Sequence, residues 1–288
     1  MWHNVRKIDY ANGETQLRFY SNGMYRNPAK SDEEIERAKE LNDMKRNPFD
    51  GKIPTEVNEF STEEELQKKA EKCLQSNLNR SKNEVYSIAR ANTWEWFITF
   101  TLSADVVDRY NFDECSKSVR TWINNVKKRY APELKYLLVP ERHADGAWHF
   151  HGLMSNMGEI TIEKAKNNKK DSPYYGSDMR TSYPDGDLIY NIGNYKIGFN
   201  TVTEIKDAQR ASNYIAKYVT KSLIEATRGK KRYYASQNLE KPEIGLYTVE
   251  TIVQAIEMFS GKKNVTHTST VNVTNGEYVN TVTYIELR

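Results

Sequence analysis

The residues with the clearest chemical potential lie between positions 141 and 153. If this stretch contains a strand, His149 and His151 point to the same face, because side chains alternate between the two faces of a sheet. Two imidazoles side by side can bind one metal ion. An isolated His-X-His pair is also common on half-exposed strands, so the prediction of a metal site depends on a third ligand nearby.

The third ligand depends on the loop that precedes this strand in a predicted hairpin. A two-residue loop turns the Glu141 carboxylate to the other face of the sheet. A three-residue loop, Asp145-Gly146-Ala147, instead sets Glu141 opposite His151, and His143 then lies opposite His149. Because glycine within the loop favours the longer form, we predict Glu141 as the third ligand and keep His143 as its substitute.

The ligand types restrict the choice of metal ion. Two imidazoles and one carboxylate with open coordination positions suit Mn²⁺ or Mg²⁺ acting on a phosphate, although these ligands also allow Zn²⁺ or Fe²⁺. The two cysteines, Cys73 and Cys115, are too few for a Cys-only zinc site. The predicted cofactor is therefore Mn²⁺ or Mg²⁺.

A second group of reactive side chains follows in a stretch where the pattern Tyr-X-X-Lys occurs twice. Tyr214 is followed by Lys217, and Tyr218 is followed by Lys221. On a single helix over residues 207–226 both tyrosines lie on one flank, one turn apart, between an apolar and a basic face. A tyrosine hydroxyl attacks phosphorus poorly unless a cation or a base favours the phenolate, and lysine supplies such a charge.

Either tyrosine alone is more typical of a helix that buries one face and leaves the hydroxyl in water. The duplication weakens that interpretation, and so does the basic cluster at residues 206–233, which hold eight basic and two acidic residues. A metal ion that polarises a scissile phosphate, combined with these tyrosines, predicts transfer of a phosphodiester to tyrosine and then to a second hydroxyl.

The elements that position these side chains mix strands and helices without strict βαβ alternation. Period-two patterning at residues 93–102 places Trp96, Ile98 and Phe100 on one face, and Phe97 and Thr99 on the other. Further helices are predicted at 61–91 and 113–130, and strands at 134–141, 148–154, 188–190 and 199–205. The pattern predicts an α+β domain on a mainly antiparallel central sheet with flanking helices.

The two ends of the chain predict additional segments. Residues 1–60 contain a hairpin around Asn12-Gly13 and an acidic helix at 31–45. Residues 241–288 contain a helix and a second hairpin around Asn275-Gly276. We therefore divide the chain into an N-terminal region of residues 1–60, a central domain of 61–240 and a C-terminal region of 241–288.

Composition excludes several classes of protein. The 288 residues are long enough to bury one sizeable core, and no apolar stretch approaches the roughly 20 residues that span a bilayer. The N-terminus has no apolar signal segment, and the low cysteine content fits a reducing cytosol. The net charge of +3 does not by itself indicate a nucleic-acid partner. We expect a cytoplasmic protein without a membrane partner.

Three segments in this order resemble motifs I, II and III of the HUH endonucleases, specifically the rolling-circle replication initiators of phages and plasmids. They are residues 97–101, 149–151 and 214–221. The paired tyrosines are similar to those of the A proteins of isometric phages and the gene II proteins of filamentous phages. The lead-in to the first strand resembles Rep-type proteins of Gram-positive mobile elements, and the whole resemblance covers roughly residues 75–240.

The resemblance implies a site-specific nickase and ligase of single-stranded DNA that works through a covalent 5′-phosphotyrosine. It makes His149 and His151 metal ligands with Glu141, and it makes Tyr214 and Tyr218 nucleophiles. The expected partner is single-stranded DNA at a replication origin in a bacterial host cell. Because the chain has no Gly-X-X-X-X-Gly-Lys-[Ser/Thr] motif, strand separation is expected from a separate helicase.

Three alternatives share part of this pattern. A two-tyrosine HUH transposase or a mobilisation relaxase uses the same chemistry in another biological setting. A non-catalytic nucleic-acid-binding module would stack bases on Trp94, Trp96 and the tyrosines. A metal hydrolase of small substrates would have no use for paired tyrosines. The order in which the tyrosines cleave stays open, with Tyr218, nearer the apolar face, expected to be the better oriented.

Overall fold

The computed structural model describes residues 2–25, 63–275 and 278–288. Within them the chain is α+β with two antiparallel sheets and flanking helices, which confirms the predicted fold class. The predicted acidic helix at residues 31–45 and the turn at Gly276 lie outside the described residues. No helix in the described part of the chain combines the length and the apolar character needed to cross a membrane.

The elements follow one another in this order: β1 (Trp2–Asp9), β2 (Thr15–Tyr25), α1 (Glu63–Ala91), β3 (Trp96–Leu102), α2 (Phe112–Arg129), β4 (Lys135–Arg142), β5 (Trp148–Ser155), β6 (Ile162–Lys164), β7 (Tyr190–Ile192), β8 (Gly198–Glu204), α3 (Ala208–Lys217), α4 (Lys221–Ala226), β9 (Tyr234–Ala235), β10 (Glu243–Tyr247), α5 (Ile252–Ser260), β11 (Val265–Asn275) and β12 (Tyr278–Leu287).

The chain forms two compact units. One combines the described parts of Met1–Asp9, Gly13–Ala70 and Glu243–Arg288, and the other comprises Tyr10–Asn12 and Glu71–Pro242. The three-part division at residues 60 and 240 stays a prediction. The second unit contains all the residues predicted to do chemistry.

The first unit contains a five-stranded antiparallel sheet in the order β10-β1-β2-β12-β11. The N-terminal strand β2 pairs directly with the C-terminal strand β12. Val5, Leu17 and Ile285 are fully buried in its core together with Ala255 of α5. Strands from both ends of the chain thus share one hydrophobic core.

The second unit is built on a seven-stranded antiparallel sheet in the order β6-β7-β8-β3-β5-β4-β9. Strand β3 lies near its centre, and Ile98 and Phe100 on one face are fully buried. Helix α2 covers this face, since the Trp122 ring contacts the Phe100 ring edge-on at a centroid distance of 5.1 Å. The Asn111 side chain caps α2 by accepting from the backbone N–H of its second and third residues.

The other face of the same sheet carries the side chains that could do chemistry. Phe97 and Thr99 of β3 point to this face, as their alternation with Ile98 and Phe100 predicts. Helix α3 lies over this face, because the Phe97 ring contacts the ring of Tyr214. The predicted two-faced strand therefore separates a hydrophobic core on the α2 side from a site on the α3 side.

The prediction of one helix over residues 207–226 is wrong, because the helix is interrupted after Lys217 and resumes at Lys221. Thr220 has an extended backbone with φ −106° and ψ 166°, and its Oγ1 accepts from the Leu223 N–H at 3.2 Å. A threonine that caps the next helix competes with continuation of the previous one. The two Tyr-X-X-Lys units therefore do not share one uninterrupted helix.

The predicted loop at residues 145–147 is also wrong in its position, although its odd length is correct. The loop between β4 and β5 consists of residues 144–146, because the His143 N–H donates to the Ala147 carbonyl at 2.8 Å. Gly146 closes the loop with φ +90°, a conformation that glycine adopts without steric cost. The register of the two strands is thereby shifted from the predicted one.

Candidate active site

The two histidines of β5 are held by the neighbouring strand β3. Thr99 lies opposite His151, and Thr101 lies opposite His149. The Thr99 Oγ1 is 3.1 Å from Nδ1 of His151, and the Thr101 Oγ1 is 3.2 Å from Nδ1 of His149. When Nδ1 carries the proton and donates to the threonine, Nε2 keeps its lone pair for a metal ion; at His151 this tautomer requires loss of the hydrogen bond from Nε2 to the Glu141 carboxylate.

Glu141 lies on the same face as both histidines, but in a register that differs from the predicted one. It pairs across the strands with His149 rather than with His151. Its carboxylate Oε2 nevertheless lies 2.7 Å from Nε2 of His151, which is a diagonal contact across the two strands. The structure therefore brings together the three residues predicted as ligands.

His143, the predicted substitute ligand, does not lie opposite His149. It precedes the loop and is exposed, and its ring stacks on the His149 ring at a centroid distance of 5.0 Å. Its Nδ1 is 3.7 Å from Oδ1 of Asp145. His143 therefore adds a third imidazole beside the candidate ligands, whereas Glu141 contributes the carboxylate.

Burial keeps the two β5 imidazoles neutral. It lowers the pKa of His149, and the charge on His143 lowers it further. Burial also lowers the pKa of His151, although the Glu141 carboxylate opposes this effect through its charge and its hydrogen bond. Both side chains can therefore offer lone pairs at neutral pH, and protons compete for them only at a lower pH than for an ordinary imidazole.

The donor set fits a divalent ion in its chemistry, since it offers two imidazole nitrogens and one carboxylate. No group of three or more His, Cys, Asp or Glu side chains among the described residues has the arrangement of a ready metal site. In the structure the Glu141 carboxylate contacts His151 directly, and the His149 ring stacks on the ring of His143. An ion bound here would replace the hydrogen bond between Glu141 and His151.

The two tyrosines contact each other, and one of them stacks on His151. The Tyr218 hydroxyl donates to the Tyr214 hydroxyl at 3.0 Å, and their rings are perpendicular at a centroid distance of 5.4 Å. The Tyr218 ring stacks on the His151 ring with centroids 3.8 Å apart and planes 11° apart. Tyr218 therefore lies beside the candidate ligand that contacts Glu141, and Tyr214 is joined to it through the hydroxyl hydrogen bond.

The environments of the two tyrosines differ. Tyr214 is 47% exposed, whereas Tyr218 is half-buried between α3 and the sheet. Burial raises the pKa of Tyr218, and the hydrogen bond to Tyr214 and the negative charge of Glu141 raise it further. Tyr218 is thus a neutral phenol that needs additional positive charge nearby before it can act as a nucleophile.

The two lysines take different positions. The Lys217 ammonium lies over the ring of Tyr214, 5.6 Å from its centroid, in a cation–π contact. Lys221 begins α4, and among the described contacts its exposed side chain makes no hydrogen bond, ion pair or ring contact. The prediction of one assisting lysine for each tyrosine therefore has a structural counterpart only at Tyr214.

Residues 95–223 match a family model of replication-associated proteins, of the ORF2 and gene II protein type. The match covers just under half of the chain and spans β3, both histidines and both tyrosines. It supports a role in DNA replication for this part of the chain. Searches of the curated proteins and of the solved structures returned no match.

The sequence placed Phe97 and Thr99 on the correct face but gave neither of them an individual role in the site. The Phe97 ring contacts the rings of Tyr214 at 5.2 Å, Tyr218 at 6.4 Å and His151 at 6.3 Å, measured between centroids. It thus packs both tyrosines against the histidine. The period-two pattern of β3 was the available signal, since it placed these side chains on the face opposite the core.

A groove of about 610 Å³ adjoins the tyrosines along α3 and the end of β8. Phe97 and Tyr214 form one wall, and Lys206, Arg210 and Lys217 supply positive charge along it. Asp187 and Asp207 also line it, and they pair with Lys206 and Arg210. Of the two tyrosines, Tyr214 lines this groove.

Proposed function

We propose that this protein is a rolling-circle replication initiator that nicks and rejoins single-stranded DNA through a covalent 5′-phosphotyrosine. The stacking of Tyr218 on His151 carries the proposal, because it joins a nucleophile to a candidate metal ligand. The family match favours replication over the setting of a transposase or a mobilisation relaxase. The paired tyrosine hydroxyls favour transfer chemistry over a non-catalytic binding module.

In this proposal His149, His151 and Glu141 hold a divalent ion. When bound there, Mn²⁺ or Mg²⁺ supplies Lewis-acid polarisation of the non-bridging oxygens of the scissile phosphate. The threonine hydroxyls on β3 fix the imidazoles by holding their Nδ1 atoms. The exposed groove beside α3 holds the DNA strand, and its lysines and arginine contact the phosphates.

The tyrosines exchange one phosphodiester for another without loss of bond energy. The Tyr218 oxygen bonds to phosphorus, the bond from phosphorus to the 3′ oxygen breaks, and a free 3′-hydroxyl leaves after taking up a proton. The phenol proton of Tyr218 passes to the Tyr214 oxygen 3.0 Å away as Tyr214 releases its own proton, so the pair gives up one proton and the 3′ oxygen takes up one. Lys217 holds its positive charge over the Tyr214 ring, and Tyr214 serves the second transfer.

Incubation with Mn²⁺ and single-stranded oligonucleotides tiled across the protein's own genetic element tests this proposal. We expect one oligonucleotide to form an adduct that survives denaturing electrophoresis, and mass spectrometry to place the 5′ phosphate on Tyr214 or Tyr218. A duplex of the same sequence is the control and should react poorly, because no helicase is present. Binding without any adduct, unaffected by metal, would instead identify a non-catalytic DNA-binding module.

The threonines offer a test of the metal site that leaves the ligands themselves intact. Thr99→Val and Thr101→Val keep the side-chain shape but remove the contact to Nδ1, so we expect Mn²⁺ affinity to fall by about 10- to 100-fold. Titration calorimetry measures this directly. Thr201→Val is the matched control, since Thr201 lies opposite Thr99 on β8. Equal affinity in all three variants would show that these hydroxyls do not position the imidazoles.

A further inference from the structure

A second groove lies on the face of the seven-stranded sheet opposite the tyrosines. Tyr136 of β4 is in register with Met154 of β5, and Met154 is in register with Trp96 of β3. The Tyr136 side chain therefore shares the face of Ile98 and Phe100 rather than that of Thr99. The groove has a volume of about 610 Å³ and lies between α2 and β9. We call it the α2–β9 groove.

The α2–β9 groove is strongly basic. Its lining includes four cationic side chains and no acidic one, the cations being Arg120, Lys127, Lys231 and Arg232. Within the described part of the chain, none of the four forms an ion pair. Four unpaired positive charges around one concave surface favour an anionic ligand with several charges.

Arg232 provides an independent sign of a missing partner. One of its terminal nitrogens donates to the Ser81 hydroxyl at 3.1 Å. Its Nε is buried and has no hydrogen-bond partner among the described residues. A buried guanidinium N–H is normally bonded, so the fold leaves this Arg232 donor open beside the groove.

Aromatic rings lie among these charges. Tyr136, Tyr233 and Tyr234 line the same groove. Burial raises the pKa of both Tyr136 and Tyr233, and a hydrogen bond to Glu84 adds to the rise for Tyr233, so the rings bring no negative charge. Cations that contact phosphates, next to rings on which bases can stack, are the combination that single-stranded nucleic acid requires.

We propose that the α2–β9 groove binds a segment of a single nucleic-acid strand outside the segment that is cut. The inference rests on the proposed function for its assumption that the substrate is single-stranded DNA. The groove and the tyrosines lie on opposite faces of one sheet, so a strand that occupies both must pass around the sheet. Binding at two places on one strand raises the affinity for long strands over short ones.

The test compares two double variants with the same loss of charge on the same helix. Arg120→Ala with Lys127→Ala removes groove cations, whereas Lys128→Ala with Arg129→Ala removes exposed cations of α2 that do not line the groove. Affinity for fluorescent dT40 is measured by anisotropy over a salt series without divalent ions. We expect the groove variant to bind about tenfold more weakly, with the salt slope reduced by about 1.4 for two lost phosphate contacts. We expect the control variant to match the wild type.

Equal affinities and slopes for the two variants would overturn the proposal. A second measurement uses a strand with 5-iodouridine at single positions, and cross-links to residues 231–237 are expected from positions away from the cut. Binding of dTMP that is lost in the groove variant, with dT40 binding unchanged, would identify a free-nucleotide site and refute the strand proposal. Since these assays involve no cleavage, an absent adduct would refute nicking without altering their outcome.

Discussion

Replacing both Tyr214 and Tyr218 with phenylalanine is expected to abolish the covalent adduct, whereas each single replacement leaves part of it. The two hydroxyls lie 3.0 Å apart, so either can approach a phosphate bound beside His151. Phenylalanine keeps the ring contacts with Phe97 and removes only the nucleophilic oxygen. The adduct is quantified on the reactive oligonucleotide by denaturing electrophoresis. Tyr175→Phe, at an exposed tyrosine outside the site, is the control.

The two single variants should differ in how much they slow the first cleavage. We expect Tyr218→Phe to slow the first cleavage more than Tyr214→Phe does, because Tyr218 is held against His151 while Tyr214 is largely exposed. Tyr214→Phe should mainly impair the second transfer in a complete termination assay. If one single variant abolishes every adduct while the other cuts and rejoins normally, the protein uses one tyrosine and the second only packs or contacts DNA.

Replacing His149 or His151 with alanine is expected to lower the cleavage rate by about 10³-fold while DNA binding stays nearly unchanged. The ion would act on the transition state, whereas affinity for the strand comes mainly from cations that contact phosphates. Chelation by EDTA should reproduce the loss. Because burial lowers the pKa of both imidazoles, the Mn²⁺ requirement should not increase until the pH falls below about 6.5, the ordinary imidazole pKa.

His143→Ala is the matched control for this experiment. Its imidazole stacks on His149 but is exposed, so we expect its loss to change the rate by less than about threefold. Glu141→Gln keeps the shape of the side chain but removes its negative charge, so it should weaken Mn²⁺ binding. Full cleavage by the double alanine variant of His149 and His151, or in EDTA, would refute the hypothesis that cleavage needs a divalent ion.

The sequence determined the features that depend on neighbouring residues. Alternation along β3 placed Phe97 and Thr99 opposite the core, and alternation along β5 placed His149 and His151 on one face. The fold class followed from the order of such elements. The odd length of the β4–β5 loop, which keeps Glu141 on the histidine face, followed from a glycine in the turn. Each of these inferences depends on periodicity or turn chemistry within a few residues.

Only the tertiary structure decided which distant groups meet. The break between α3 and α4 depends on a cap by Thr220 that competes with a helix favoured by the apolar pattern, and it leaves Lys221 apart from Tyr218. The stacking of Tyr218 on His151 and the α2–β9 groove bring together residues that are far apart in the chain. Such contacts depend on how sheets and helices pack. Local propensities favour a helix or a strand for each segment, but they do not determine which other elements it packs against.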